Sequence, residues 1–222
     1  TSFETTGENK RADGKVRSFR LRWEVLPGRD AKMDCAIVST IDITDQVQTD
    51  KIQSAVYQMA NAASTTENLN DLYQSLHRIL DGLMPAKNFY IALYHEAEGM
   101  ISFPYFVDEL DPIPAPRKFG NGWTEYVIRT KEPMLLSQEN VRRLEQEEGV
   151  KTFGYDSLDW LGVPLKVEDR VIGIVAVQSY SEGVRYTEVE KNILTFVSNQ
   201  IAMVIDRKRT EQELKYSSLH DP

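Results

Sequence analysis

At 222 residues, 27% of them charged and 41% hydrophobic, the chain has the composition of an ordinary water-exposed protein and the length for one large core, alone or with flanking pieces. Its formal net charge of -8 speaks against a nucleic-acid partner, whose contact surface would cluster Lys and Arg. The one cysteine, Cys35, excludes an intramolecular disulfide and a Cys-rich zinc site and fits a reducing, cytoplasmic setting; no apolar run approaches the roughly 18 residues of a membrane span, so no direct membrane contact is expected of this piece.

Lys15 to Glu24 alternates, Val16, Ser18 and Arg20 opposing Arg17, Phe19, Leu21 and Trp23, the two-residue period of a half-buried antiparallel strand. Pro27 and Gly28 break it, and Met33 to Ile41 supplies a second strand that leaves through Asp42, Ile43 and Thr44. With the turn Arg11, Ala12, Asp13, Gly14 ahead of it, this hairpin resembles the carboxyl-terminal strands of a PAS domain over residues 1–45. The half that would build a PAS cavity has no counterpart, so the resemblance implies no PAS cofactor.

From Asp45 the period becomes helical. Ile52, Val56, Met59 and Ala63 form one stripe suited to pairing with another helix, and residues 46–67 read as a connecting signalling helix. Thr66 or Thr65 is expected to cap a second helix, with Glu67 in its first turn. There Leu69, Leu72, Leu76, Ile79, Leu80 and Leu83 make a wide apolar face, closed by Pro85. Asn88–Tyr94 and Met100–Val107 read as paired strands about a turn, and Asp111–Pro116, with three prolines, as irregular. A short helix over Trp123–Thr130 follows Gly120, Asn121 and Gly122, then a strand over Pro133–Ser137 and a charged helix or lid over Asn140–Glu148.

Trp160 to Tyr180, WLGVPLKVEDRVIGIVAVQSY, reads as two strands folded about Glu168 and Asp169, the second apolar at nearly every position and so covered on both faces. Tyr186, Thr187 and Glu188 open a long final helix with Val189, Ile193, Phe196, Val197, Ile201, Val204 and Ile205 facing inward. The WLGVPL and RVIGIVAVQSY runs, together with GNGWTEYVIRTKEPMLLS, resemble GAF sensory domains over residues 68–208. The resemblance implies an α+β fold: an antiparallel sheet of about six strands, terminal helices on one face and a small-molecule cavity on the other.

Family chemistries can be set against the residues present. Cyclic-nucleotide-binding GAF domains share an Asn-Lys pair after the hairpin and a later Phe with Asp-Glu; Ser179, Tyr180, Tyr186, Glu190 and Lys191 stand here instead, which argues against a cyclic nucleotide. Covalent bilin and the free-methionine-sulfoxide reductases with this fold need cysteines inside the domain, and Cys35 precedes it. His77 reads as a half-buried structural residue and His95 as exposed, neither with a partner at metal-ligand spacing. Asp108, Glu109 and Asp111, like Glu145, Glu147 and Glu148, read as solvated faces, the latter a lid that would repel anions.

Ser218, Leu219, His220, Asp221 and Pro222 resemble the entry of a GGDEF domain, and residues 209–222 read as a linker into a truncated output domain. The resemblance implies a non-enzymatic piece of a larger signalling enzyme, a diguanylate cyclase. The Pro222 spacing departs from a phosphoacceptor histidine motif, although the sensor part of a histidine kinase remains an alternative, as does a ligand-free dimerisation spacer. Phe103, Tyr105, Trp123, Tyr126 and Trp160 are the expected ligand-binding residues, and a homodimer through the terminal helices is expected because the Ile52, Val56 and Met59 stripe lies outside the sheet core.

Overall fold

Alternating residues near the amino terminus do form strands. The computed structural model describes residues 2–10, 16–27 and 33–220 and divides into two units, 1–54 and 55–222. In the first, β1 (Ser2–Lys10), β2 (Val16–Pro27) and β3 (Met33–Asp42) make a three-stranded antiparallel sheet in that order. The β2–β3 hairpin matches the sequence pattern; β1, with Thr, Gly and Asn where alternation would need apolar residues, does not announce itself. The Arg11–Gly14 turn, Gly28, Asp221 and Pro222 lie outside the described residues. The Asp-Ile-Thr exit has a local reason: Asp42 Oδ1 accepts the Thr44 amide at 3.0 Å at the start of α1 (Thr44–Thr65). That amide and the Thr44 hydroxyl, chiefly the hydroxyl, hold the Asp42 carboxyl below the usual carboxylate range.

In α1 the expected stripe is partly covered by the chain itself. Met59 and Ala63 are buried within the chain, as is Ala55, and Ile52 and Val56 are half-buried. Helix α2 (Leu69–Asp81) is capped by Asn68, whose side chain accepts the Asp71 amide at 2.9 Å. Thr65 and Thr66, the expected caps, instead donate back to the Asn61 and Ala62 carbonyls at 3.0 and 2.7 Å, finishing α1 rather than starting α2.

The remaining elements are β4 (Asn88–His95), β5 (Met100–Val107), β6 (Arg117–Lys118), α3 (Trp123–Thr130), β7 (Met134–Ser137), α4 (Gln138–Glu148), β8 (Asp159–Val167), β9 (Arg170–Ser179) and α5 (Glu188–His220). Six strands form one antiparallel sheet in the order β6-β5-β4-β9-β8-β7, so the near-continuous apolar run of β9 lies at its centre. Glu168 takes φ 53° in the two-residue β8–β9 turn. Helix α5 packs along β8 and against α2, while α3 packs on β8 and β9. Alternation sorts the side chains: Phe89, Ile91, Leu161, Val163 and Leu165 go to the α2 and α5 side, and Tyr90, Ala92, Trp160, Ile174 and Ala176 to a separate aromatic cluster with α3.

Helix α5 corrects one expectation. Ile193, Val197, Ile201 and Ile205 are buried with Leu194 and Ala202, but Val189 and Phe196 are 49% and 54% exposed. The buried face centres on Val197 and Ile201, and a 3.6-residue period turns Val189 and Phe196 away from it. Among the described residues no helix is long and apolar enough to cross a membrane.

Candidate functional site

On the aromatic side of the sheet lies a cavity of about 260 Å³. Its floor is Tyr90 from β4 with Trp160 and Gln178 from β8 and β9; Phe103 and Phe106 from β5 and Trp123 and Thr124 from α3 form walls; Asp111 to Pro114, Arg117, Phe153 and Gly154 form the rim. The floor is fixed by hydrogen bonds: the Trp160 indole N–H donates to the Tyr90 hydroxyl at 3.2 Å, which pairs with Thr124 Oγ1 at 3.0 Å. Burial pushes the Tyr90 phenol up to about 12, against the opposing pull of its Thr124 and Trp160 bonds.

Phe103, Trp123 and Trp160 therefore share one cavity. Tyr126 does not line it; the ring packs at the edge of the cluster with the Arg129 guanidinium 5.6 Å from its centre. Tyr105 is on the opposite face, with its hydroxyl 2.9 Å from His77 Nδ1 and its ring 5.8 Å from Phe89. The cause is a β-bulge: Ile91 pairs with Tyr105 but Leu93 with Ser102, so β5 spends one extra residue and its facing reverses after Phe103. Phe106 takes the place on the cavity side, its ring 5.5 Å from Tyr90. Pro104, which cannot donate to a ladder, was the available sequence signal.

The rim is charged. Arg117 binds Glu125 through both oxygens, Nε to Oε1 at 3.1 Å and an Nη to Oε2 at 3.3 Å; the Glu125 side chain is 1% exposed and that of Arg117 32%. The same guanidinium lies 5.2 Å from the Phe103 ring centre and 4.8 Å from that of Phe153. A Cβ at Gly122 would stand 2.6 Å from Glu125 Oε2 and 3.0 Å from the Phe153 ring, so the glycine before α3 lets the loop carrying Phe153 lie down on the pair. Gly154, at φ +86°, sits so close to Asp111 that a Cβ would come within 2.5 Å of its carboxylate, and Asp111 Oδ1 accepts the Tyr155 amide at 3.0 Å.

Asp108 and Asp111 are not solvated faces. The Tyr180 hydroxyl is 3.1 Å from an oxygen of each, and Gln178 donates its amide to Asp108 and, at 2.8 Å, to the Tyr180 oxygen. Burial, then both carboxylates, push the Tyr180 phenol far up, so it stays neutral. Glu145, Glu147 and Glu148 lie on α4 away from the cavity lining; Glu145 accepts the Thr152 hydroxyl at 2.6 Å, and the acid that reaches the cavity is Asp111. Cys35 lies in β3, and it and its β2 partner Leu26 both belong to the first unit. Among the described residues no three His, Cys, Asp or Glu side chains are grouped to hold a metal ion.

The family model described as GAF domain matches residues 66–206, well over half of the chain. The chain belongs to the GAF domain family. Solved structures agree on the fold: the GAF domain of a phosphoenolpyruvate-protein phosphotransferase from Coxiella burnetii is similar at TM-score 0.59 and 18% identity, over 73% of this chain and 97% of that one. The corresponding domain from Acinetobacter is similar at 0.59 and 18% over 75% and 98%, and a free methionine-R-sulfoxide reductase from Neisseria meningitidis at 0.57 and 11% over 72% and 91%. Among curated proteins none matches the chain. GAF domains act as regulatory modules in signalling proteins, and some with this fold are enzymes. In this GAF domain the residues that sequence reasoning missed, Phe106, Asp111, Arg117, Phe153 and Gln178, come from a strand beyond a bulge, two loops, the two-residue strand β6 and a strand end, where periodicity carries no information.

Proposed function

We propose that this chain is the sensory part of a bacterial-type, cytoplasmic multidomain signalling protein, with no catalytic activity of its own. A small molecule held in the aromatic cavity biases the helices flanking the GAF domain and through them an output domain, a diguanylate cyclase. The observation that carries this reading is the sharing of β8 between cavity and helix: Trp160 turns its indole to the cavity while Leu161, the next residue, turns to the face along which α5 packs. A ligand with different affinity for two settings of β8 shifts α5 by that difference alone. The PAS-like strands ahead of the domain and the LHDP run behind it support a place in a longer signalling chain. The exposed stripe on α5 supports a homodimer, and it also favours the second reading, in which the domain dimerises and spaces an output enzyme without any ligand.

Thermal-shift titration of a metabolite library separates the two, since a ligand that binds only the folded state raises the melting temperature by mass action. Saturable stabilisation that Trp123→Ala removes is expected from a non-anionic small molecule. The same response to cyclic GMP or cyclic AMP would overturn the ligand assignment, and silence from every compound would leave the spacer. Turnover of GTP, ATP or methionine sulfoxide by the chain would overturn the non-enzymatic assignment.

A further inference from the structure

We infer that the cavity takes a small organic cation, a quaternary ammonium or protonated amine on a short apolar body; this deepens the sensory reading above and rests on it. The first ground is the walls. The rings of Tyr90, Phe103 and Phe106 stand 5.5, 6.1 and 6.4 Å apart, centre to centre, and their electron-rich faces attract positive charge. Phe103 already does so, with Arg117 over its ring at 5.2 Å.

The second ground is the charge balance. Arg117, the one basic side chain among the described residues of the lining, has its charge matched by Glu125 through two hydrogen bonds and adds no net positive potential. Asp111 lines the cavity with Asp108 behind it, and among the described residues no Lys, Arg or His forms an ion pair with either. The Tyr180 hydroxyl, 3.1 Å from both, has one proton for two carboxylates, and neither Tyr180 nor Gln178 brings charge. An anion would face like-charge repulsion there, and a neutral ligand would leave the carboxylates without a counter-ion. The volume of about 260 Å³ is just under the range of roughly 300–1,000 Å³ for drug-sized ligands, which limits the body to about one ring.

Benzyltrimethylammonium, 2-phenylethanol and phenylacetate offer one ring with a positive, neutral and negative group. Isothermal titration of the whole chain is expected to rank them in that order, with the cation bound about tenfold more tightly than the alcohol. Asp111→Asn keeps an oxygen for the Tyr155 amide and is expected to erase that tenfold preference while the alcohol binds as before, which also reports that the cavity is intact. Equal or tighter binding of phenylacetate or 2-phenylethanol would overturn the cation assignment and leave the small-molecule reading standing. An unchanged cation preference in Asp111→Asn would overturn it too. Absence of binding by all three up to about 10 mM would likewise overturn the cation assignment, whereas the small-molecule reading falls only to silence across the metabolite library.

Discussion

The Asp159 carboxylate accepts the backbone N–H of Tyr186 at 2.8 Å, so the first residue of β8 holds the approach to α5. The same oxygen accepts the Arg185 Nε at 2.9 Å, and the Tyr186 hydroxyl reaches on to the Pro85 carbonyl at 3.1 Å. Trp160, whose indole floors the cavity, is the next residue along β8. The anchor of the approach to α5 and the floor of the cavity are thus adjacent on one strand.

Asp159→Ala is expected to cost about 2–3 kcal/mol in urea unfolding, because it orphans a buried amide. Asp159→Asn should cost about 1 kcal/mol, since an amide oxygen still accepts from Tyr186 and the lost pair with Arg185, 57% exposed, contributes little. Equal losses in the two variants would show that the amide bond is not what holds the helix start.

Alkaline pH should destabilise the domain through its buried phenols. Burial pushes Tyr90 and Tyr73 up to about 12 from 10.0. Between those values the unfolded chain has lost the proton that the folded chain keeps, so stability is full below about pH 10 and falls as pH rises towards 12. Each phenol contributes on the order of 2–3 kcal/mol by that shift. Melting temperatures measured from pH 8 to pH 11.5 should decline more gently in Tyr90→Phe than in the wild type, whatever the variant loses at neutral pH from its bonds to Trp160 and Thr124.

Two glycines on neighbouring strands should differ in cost. A Cβ at Gly173 would meet the Ala92 carbonyl oxygen at 2.0 Å, and one at Gly162 would meet the tip of the Trp160 ring at the same distance. The first obstacle is backbone in the middle of the sheet and cannot step aside; the second is a side chain that can shift by giving up its bond to Tyr90. Gly173→Ala should therefore cost more than about 3 kcal/mol and Gly162→Ala about 1–3 kcal/mol, the latter with a changed tryptophan emission. A larger loss in Gly162→Ala would reverse this ranking of the two obstacles.

Regular elements were legible because their burial repeats: Leu72, Leu76 and Leu80 at helical spacing, and Ile174 to Val177 as an unbroken run, mark α2 and β9. Strand β1 was not, because it pairs along β2 by backbone bonds while its side chains stay exposed, Phe3 at 59%. The cavity was half legible. Aromatics name themselves, but which face Tyr105 takes depends on a bulge, and whether Asp111 is bathed in water or bonded to Tyr180 depends on two segments far apart in sequence. Phase on α5 failed for a simpler reason: Val189 and Phe196 are as apolar as the residues that are buried, and apolarity alone does not choose a face.

That phase makes the association surface specific. Val189, Phe196 and Met203 are 49%, 54% and 48% exposed and follow one another at seven-residue spacing on α5, the repeat by which a helix keeps one seam against a partner. Met59 and Ala63 of the α1 stripe that first suggested pairing are buried within the chain, so the α5 stripe is the surface we expect a second copy to cover. Light scattering at tens of micromolar, roughly where weak interfaces dissociate, should give the mass of a dimer. Phe196→Glu should lower it to a monomer without lowering the melting temperature of the folded unit by more than about 0.5 kcal/mol equivalent, as expected for an exposed site. A monomeric wild type, or a Phe196→Glu variant that stays dimeric, would remove α5 from the interface.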